Sequence, residues 1–217
     1  MRNIQLKKQL AQAAIEKIPK DEVIGVGSGS TIRYFIEALA PLKHQITGAV
    51  ASSEETERLL KKHGIPIIEL NHADRLPLYV DSADQFNRHR YLTKGGGGAL
   101  TREKIIAQAS DHFLCIVDHT KATDVLGGYP IAIEVLPMAR SYIARAITRL
   151  KGTPVYRSGF ITDNKNIILD VHQWHILNPP ELETTLNQLP GIVATGLFTL
   201  RPPDQILIAS PTGIEVL

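Results

Sequence analysis

Five short apolar runs punctuate the first half of this 217-residue chain: VIGVG at 23–27, ITGAV at 46–50, PIIEL at 66–70, LYV at 78–80 and FLCIV at 113–117. Helical periodicity fills most of the gaps, over 31–39, 52–64 and 101–109, and an amphipathic helix over 4–18 precedes the first run and stops at Pro19. Short apolar strands alternating with amphipathic helices need a parallel sheet covered on both faces, because each strand has two apolar sides to bury. Such sheets hold their ligands beyond the carboxyl ends of the strands. The Gly27 loop, Ser52, Asp81 and Asp118 each follow an apolar run directly, which assigns them to that one edge.

After Gly127-Gly128 the rhythm changes. A strand over 131–135, a helix over 138–150, strands over 160–162 and 167–171, a helix opening at Pro179-Pro180 and a strand over 191–198 give the order βαββαβ, the split unit of a ferredoxin-like subdomain. The turn Asp163-Asn164-Lys165-Asn166 joins the two middle strands, and a last strand over 206–209 returns to the first sheet. The expected domains are 1–128 plus 202–217, and 129–201.

Composition excludes several classes. Lys and Arg are scattered and the formal net charge is only +2, which removes the electrostatic case for nucleic acid. No run approaches the ~20 apolar residues of a membrane span, and the charged N-terminal helix lacks the apolar core of a signal peptide. The single cysteine, Cys115, reads as small core filler inside an apolar strand. The expected compartment is the cytoplasm.

Two segments carry chemistry. In YVDSADQFNRHRYLTKGGGGALTREK (79–104), Asp81 and Asp84 follow a strand end, Lys94 precedes four glycines, and Glu103 lies in the first turn of the next helix. Carboxylates, one amine, bare backbone and a helix N-terminus together suit acid–base chemistry on a small anionic substrate. In GVGSGST (25–31), strand, glycines and helix follow in the order that presents backbone N–H groups to a phosphate. No Gly-Lys-Ser/Thr follows, and Ser30 stands where a dinucleotide fingerprint has its third glycine. Hydroxyls at Ser28, Ser30 and Thr31 favour a small phosphate ester.

GVGSGST, YVDSAD, KGGGGALTREKI, VDHTK, VLPMAR and TDNKNIILD, in this order and spacing, make the chain resemble ribose-5-phosphate isomerases of type A from Leu6 to about Val216. The resemblance implies a Rossmann-like, mostly parallel domain plus a smaller α/β domain. It also implies interconversion of ribose 5-phosphate and ribulose 5-phosphate without metal or organic cofactor, and a homodimer or larger assembly. By position, Glu103 is implied as the base, Asp81 and Asp84 act on sugar hydroxyls and ring opening, and Lys94 stabilises the enediolate. Ser28, Gly29, Ser30 and Thr31 with Lys121 and Lys7 resemble the phosphate groups, and Ser82, Ala83, Gly95, Gly96 and Gly97 complete the substrate-binding set.

The chain departs from the family's Asp-Gly-Ala-Asp-Glu at Ser82 and Gln85. A positive φ at Ser82 would cost roughly 1–2 kcal/mol, and Gln85 removes a negative charge beside the two aspartates. Other readings are a nucleotide-dependent oxidoreductase using the Gly27 loop and Glu54, which leaves Asp81, Lys94 and Glu103 idle, and a sugar-phosphate sensor without turnover. A metal hydrolase has only His172 and His175 to stand on.

Overall fold

A computed structural model describes residues 2–217. The first elements in chain order are α1 (Arg2–Ile15), β1 (Val23–Val26), α2 (Ser30–Leu39), β2 (Gly48–Ala51), α3 (Glu54–Lys62) and β3 (Leu78–Asp81). There follow β4 (Gln85–Phe86), β5 (Leu92–Thr93), α4 (Leu100–Ala109), β6 (His112–Asp118), β7 (Ile131–Val135), α5 (Arg140–Arg149) and β8 (Thr153–Tyr156). The chain closes with β9 (Ile167–His172), α6 (Pro179–Asn187), β10 (Ile192–Thr195), β11 (Leu197–Phe198), β12 (Gln205–Ser210) and β13 (Gly213–Val216).

Two compact units result: 1–83, 105–121 and 203–217 make the first, and 84–104 and 122–202 the second. Segments 84–104 and 122–128, which the sequence pattern grouped with the first domain, thus fall in the second unit.

The first unit holds a six-stranded sheet of order β13-β12-β6-β3-β1-β2, parallel except for the antiparallel edge strand β13. Its inner strands β3 and β6 are buried almost throughout, all four residues of β3 and six of seven in β6, and the buried residues are apolar up to the aspartates that end them. On one face, α2 turns Ile32, Phe35, Ile36 and Leu39 into a core shared with Leu6, Leu10 and Ala14 of α1. Each such buried side chain contributes about 1.5–3 kcal/mol. Ser53 caps α3 by accepting the Thr56 N–H at 3.0 Å. Cys115 is buried on β6.

The second unit holds an antiparallel sheet of order β10-β7-β9-β8 and a three-stranded sheet, β11-β5-β4. The chain order β7-α5-β8-β9-α6-β10 is βαββαβ, and its sheet order is that of a ferredoxin-like unit. Alternate residues Ile131, Ile133, Val135, Ile167, Leu169 and Val171 face a core with Ile143, Ile147 and Leu186 of the helices.

Four expectations need correction. The 66–70 run is not a strand: only an isolated bridge joins Ile67 to Ala49, and the chain enters a 3₁₀ turn at Leu70. Pro66 has no N–H to give to a ladder. Residues 160–162 form no strand either, because Thr162 donates to the buried Glu134 carboxylate and its N–H closes a turn onto Asn166 O. The strand lies earlier, at β8, whose Pro154 is tolerated at a sheet edge.

The run 191–198 breaks at Gly196 into β10 and β11 of different sheets, since a Cβ there would stand 2.2 Å from Lys94 O. The helix expected from 138 begins as a 3₁₀ turn, Pro137–Ala139, before α5.

Candidate active site

In the first unit β2 and β3 lie on opposite sides of β1, so the direction of winding reverses between β1 and β3. That is where an open parallel sheet leaves a crevice beyond its strand ends. The Gly27 loop leaves β1 there and Asp81 ends β3. The Gly27 N–H donates to Val80 O at 2.8 Å.

Asp81 is fully buried. Its Oδ1 accepts the N–H groups of Ser82 (2.7 Å) and Ser28 (3.1 Å), and its Oδ2 accepts the Tyr79 hydroxyl at 2.5 Å. A Cβ on residue 27 would lie 2.0 Å from Oδ1, so only glycine lets this carboxylate seat beneath the loop. The φ of Ser82 is not positive, and the strain considered for it does not arise.

Gly29, at φ 91°, caps α2 without any side-chain hydrogen bond. The first-turn N–H groups of an α-helix have no intrahelical acceptors and carry the positive end of its dipole. Lys7 reaches from α1 to donate to Ser30 Oγ at 2.8 Å, which brings two of the sequence-predicted phosphate groups together. Thr31 is buried at the second position of the helix. Lys121 ends the 3₁₀ turn His119–Lys121 directly beyond β6, at the same carboxyl edge.

The second unit carries Asp84, Lys94, the glycines and Glu103. Lys94 follows β5, and its N–H donates to Gly196 O at 2.8 Å. Lys94 Nζ stands 3.3 Å from Glu103 Oε2, with the side chains 4% and 5% exposed. The Phe198 ring centroid lies 5.6 Å from that amine. Opposite charges buried together avoid the cost of burying either alone.

The residues beside Glu103 are tied down. Thr101 donates to Glu134, Arg102 Nε donates to Asn164 Oδ1 at 2.9 Å, and Lys104 Nζ binds Glu183 and Leu197 O. Burial pushes the Lys104 ammonium below its ordinary pKa, opposed by Glu183.

Asp84 Oδ2 accepts the Gly96 N–H at 2.9 Å. A Cβ on Gly96 would meet Asp84 Oδ1 and the Tyr129 hydroxyl, each at 3.0 Å, so phenol and carboxylate flank the same glycine. Burial first, then the Asp84 charge, raises the Tyr129 phenol above its ordinary pKa.

Gln85 accepts the N–H groups of Gly127 (3.2 Å) and Tyr129 (3.0 Å) through Oε1, a role that either an amide or a carboxylate oxygen performs. Tyr129, Phe198, Glu134 and Arg157 were not singled out from the sequence. Glu134 accepts from Thr162, Asn164 and Asn166 of the TDNKN segment. Among the described residues no group of three or more His, Cys, Asp or Glu is placed to hold a metal. No helix among them is long and apolar enough to cross a membrane.

An α/β chain with a loop fit for phosphate and a buried amine–carboxylate pair belongs among enzymes that move protons on small phosphate esters. A model of the ribose 5-phosphate isomerase A (phosphoriboisomerase A) family matches residues 48–213, and the chain belongs to that family. A structure of ribose 5-phosphate isomerase A from Neisseria gonorrhoeae is 38% identical, with a TM-score of 0.97 over 99% of this chain and 96% of that one. The Methanocaldococcus jannaschii enzyme is 33% identical, with a TM-score of 0.94 over 99% of both chains. A D-ribose-5-phosphate isomerase in complex with phospho-erythronic acid is 34% identical, with a TM-score of 0.96 over 100% of this chain and 99% of that one.

Proposed function

We propose that the protein interconverts ribose 5-phosphate and ribulose 5-phosphate through a cis-enediol, with Glu103 as the base. The observation that carries this reading is the buried pair of Lys94 Nζ and Glu103 Oε2, 3.3 Å apart. Aldose–ketose isomerisation takes a proton from a carbon beside a carbonyl and returns it to the neighbouring carbon. One carboxylate serves both transfers on one face of the enediol, and a fixed cation stabilises the oxyanion that develops meanwhile, typically by several kcal/mol. Glu103 takes and returns the proton, and Lys94 meets the oxyanion.

Asp84, which flanks Gly96 together with the Tyr129 hydroxyl, handles the sugar hydroxyls and ring opening. Asp81 holds the Gly27 loop in shape. Ser28, Gly29, Ser30 and Thr31 bind the phosphate with Lys7 and Lys121, whose positive charges attract it in the same sense as the α2 N-terminus. Ser82, Ala83, Gly95, Gly96 and Gly97 border the sugar. The family likeness supports a homodimer, which light scattering on the eluting protein tests. A chain with one cysteine needs no oxidising compartment, in keeping with a cytoplasmic enzyme.

The test is turnover of ribose 5-phosphate by the wild type and by Glu103→Gln, whose amide keeps the shape and cannot accept a carbon-bound proton. Expected are ribulose 5-phosphate from the wild type and a kcat at least 100-fold lower in the variant, with KM much less changed. Near-normal kcat in Glu103→Gln removes the base; wild-type binding without turnover leaves a sensor.

A further inference from the structure

The glycine loop of the second unit is gripped from behind by a residue that the proton transfers do not use. Arg157 follows β8, and its backbone N–H donates to Ile168 O at 3.0 Å. Its guanidinium lies 5.3 Å from the Phe160 ring centroid. Nε and Nη2 bind the two carboxylate oxygens of Asp170 on β9, at 2.8 and 2.5 Å. The same group then reaches the loop: Nη2 donates to Gly95 O and Nη1 to Gly96 O, both at 3.2 Å.

A trans peptide points its N–H away from its C=O, and no cis peptide occurs among the described residues. Holding the carbonyls of Gly95 and Gly96 on the Arg157 side therefore turns the N–H groups of Gly96 and Gly97 to the other side. The first of these N–H groups binds Asp84 Oδ2 at 2.9 Å. The Gly97 N–H makes no hydrogen bond within the described residues. The Gly98 N–H also holds Gly95 O, at 2.9 Å, and Asp84 holds the Gly96 N–H, so the first peptide has other ties. Gly96 O is held by Arg157, and without the arginine the Gly96–Gly97 peptide of a glycine-rich loop has many conformations of similar energy.

We propose that Arg157, fixed by Asp170, is a positioning residue for the isomerisation: it sets the peptide planes so that Gly96 holds the Asp84 carboxylate and Gly97 offers its N–H to a substrate oxygen. This rests on the reading in which Asp84 and Glu103 work on a sugar phosphate. The planar fork is essential, because four N–H groups in one plane serve Asp170 and two carbonyls at once, and a lysine ammonium has neither the number nor the geometry.

The experiment is steady-state kinetics with ribose 5-phosphate on Arg157→Lys and Arg157→Ala, beside Glu103→Gln and with thermal melts of each. Arg157→Lys keeps the charge and most of the stem, so it decides the matter should Arg157→Ala fail to fold. Expected is a kcat at least tenfold lower in either folded variant, with KM within threefold because the phosphate groups are untouched. Added ethylguanidinium should restore at least fivefold of the loss in Arg157→Ala, a rescue that a role in stability alone does not produce. A kcat within twofold of wild type in a folded Arg157 variant, or a loss that ethylguanidinium leaves unrestored, overturns the proposal. Full activity in Glu103→Gln instead overturns the reading beneath it, and the two failures are told apart in one set of assays.

Discussion

Replacing Gly27 by alanine tests the seat of Asp81. The new Cβ would stand 2.0 Å from Asp81 Oδ1, 2.1 Å from Cγ and 2.5 Å from Cβ. No rotation of the side chain clears a contact with its own Cβ, so the carboxylate must leave its place or the strands must part. Leaving means giving up three donors, Tyr79 OH, Ser28 N–H and Ser82 N–H. A hydrogen bond to a charged group is worth about 1.5–3 kcal/mol, and stripping a buried charge of its partners costs about 3–5 kcal/mol. Partial resolvation of the carboxylate keeps the total nearer the second figure than the sum of three bonds. The expected loss is therefore about 3–5 kcal/mol, a large share of a typical stability of about 5–15 kcal/mol.

The partner variant is Asp81→Gly, which removes the three atoms nearest to the new Cβ. Residue 27 has no positive φ, so alanine suits its backbone and should cost roughly 0–1 kcal/mol in the Asp81→Gly background. Urea unfolding of wild type, both single variants and the double variant, followed by circular dichroism, gives the coupling, expected at about 3 kcal/mol. Additivity to within about 0.5 kcal/mol would refute the argument, since it would mean that the loop does not depend on glycine to admit the carboxylate.

Gln85→Glu should change stability by less than about 1 kcal/mol, because either side chain presents an oxygen to Gly127 and Tyr129 N–H; Gln85→Ala should cost about 1–3 kcal/mol in the same urea assay. A difference titration of wild type against Tyr129→Phe should find the phenol ionising above its ordinary pKa. Asp84→Asn should bring it part of the way back, since burial is the larger cause. Glu183→Gln should lower the Lys104 pKa further, read by NMR of the lysine ε position, because Glu183 is the group that opposes burial there. The sign for folding follows. Between the lowered folded value and about 10.4 the unfolded chain holds a proton that the folded chain lacks, so the Lys104 contribution to stability rises with pH across that window, more steeply in Glu183→Gln.

Strands β1, β3, β6, β7 and β9 were legible because burial on both faces, or strict alternation, leaves an apolar signature in a few consecutive residues. The 66–70 run carried the same signature and misled, since apolarity says nothing about whether a neighbour's edge is free for pairing. At 191–198 one apolar stretch served two sheets, and the reason was a contact with Lys94 O, 102 positions away in the chain. The two-residue strands β4, β5 and β11 have no pattern to read. Among candidate site residues, Asp81, Asp84, Lys94 and Glu103 stood out by clustering in sequence. Arg157 and Tyr129 did not, because each meets the glycine loop only through folding: 61 residues separate Arg157 from Gly96.

The second unit buries two further glutamates, and both are tied to the helix that carries Glu103. Glu134 accepts from Thr101, Thr162, Asn164 and Asn166. Glu183 accepts from Lys104, both donors of Thr199 and the Leu200 N–H. A carboxylate has about four lone-pair directions, so in these two the directions are taken up by groups of the fold itself. Glu103 lies on the same short helix that Glu134 and Glu183 anchor through Thr101 and Lys104, and the group that faces its Oε2 is the Lys94 amine. The neighbouring carboxylates thus fix the helix on which Glu103 faces Lys94. Glu103 stands in the 79–104 cluster, whereas Glu134 and Glu183 lie 33 and 79 positions from Thr101 and Lys104 respectively, and their ties to α4 exist only in the fold.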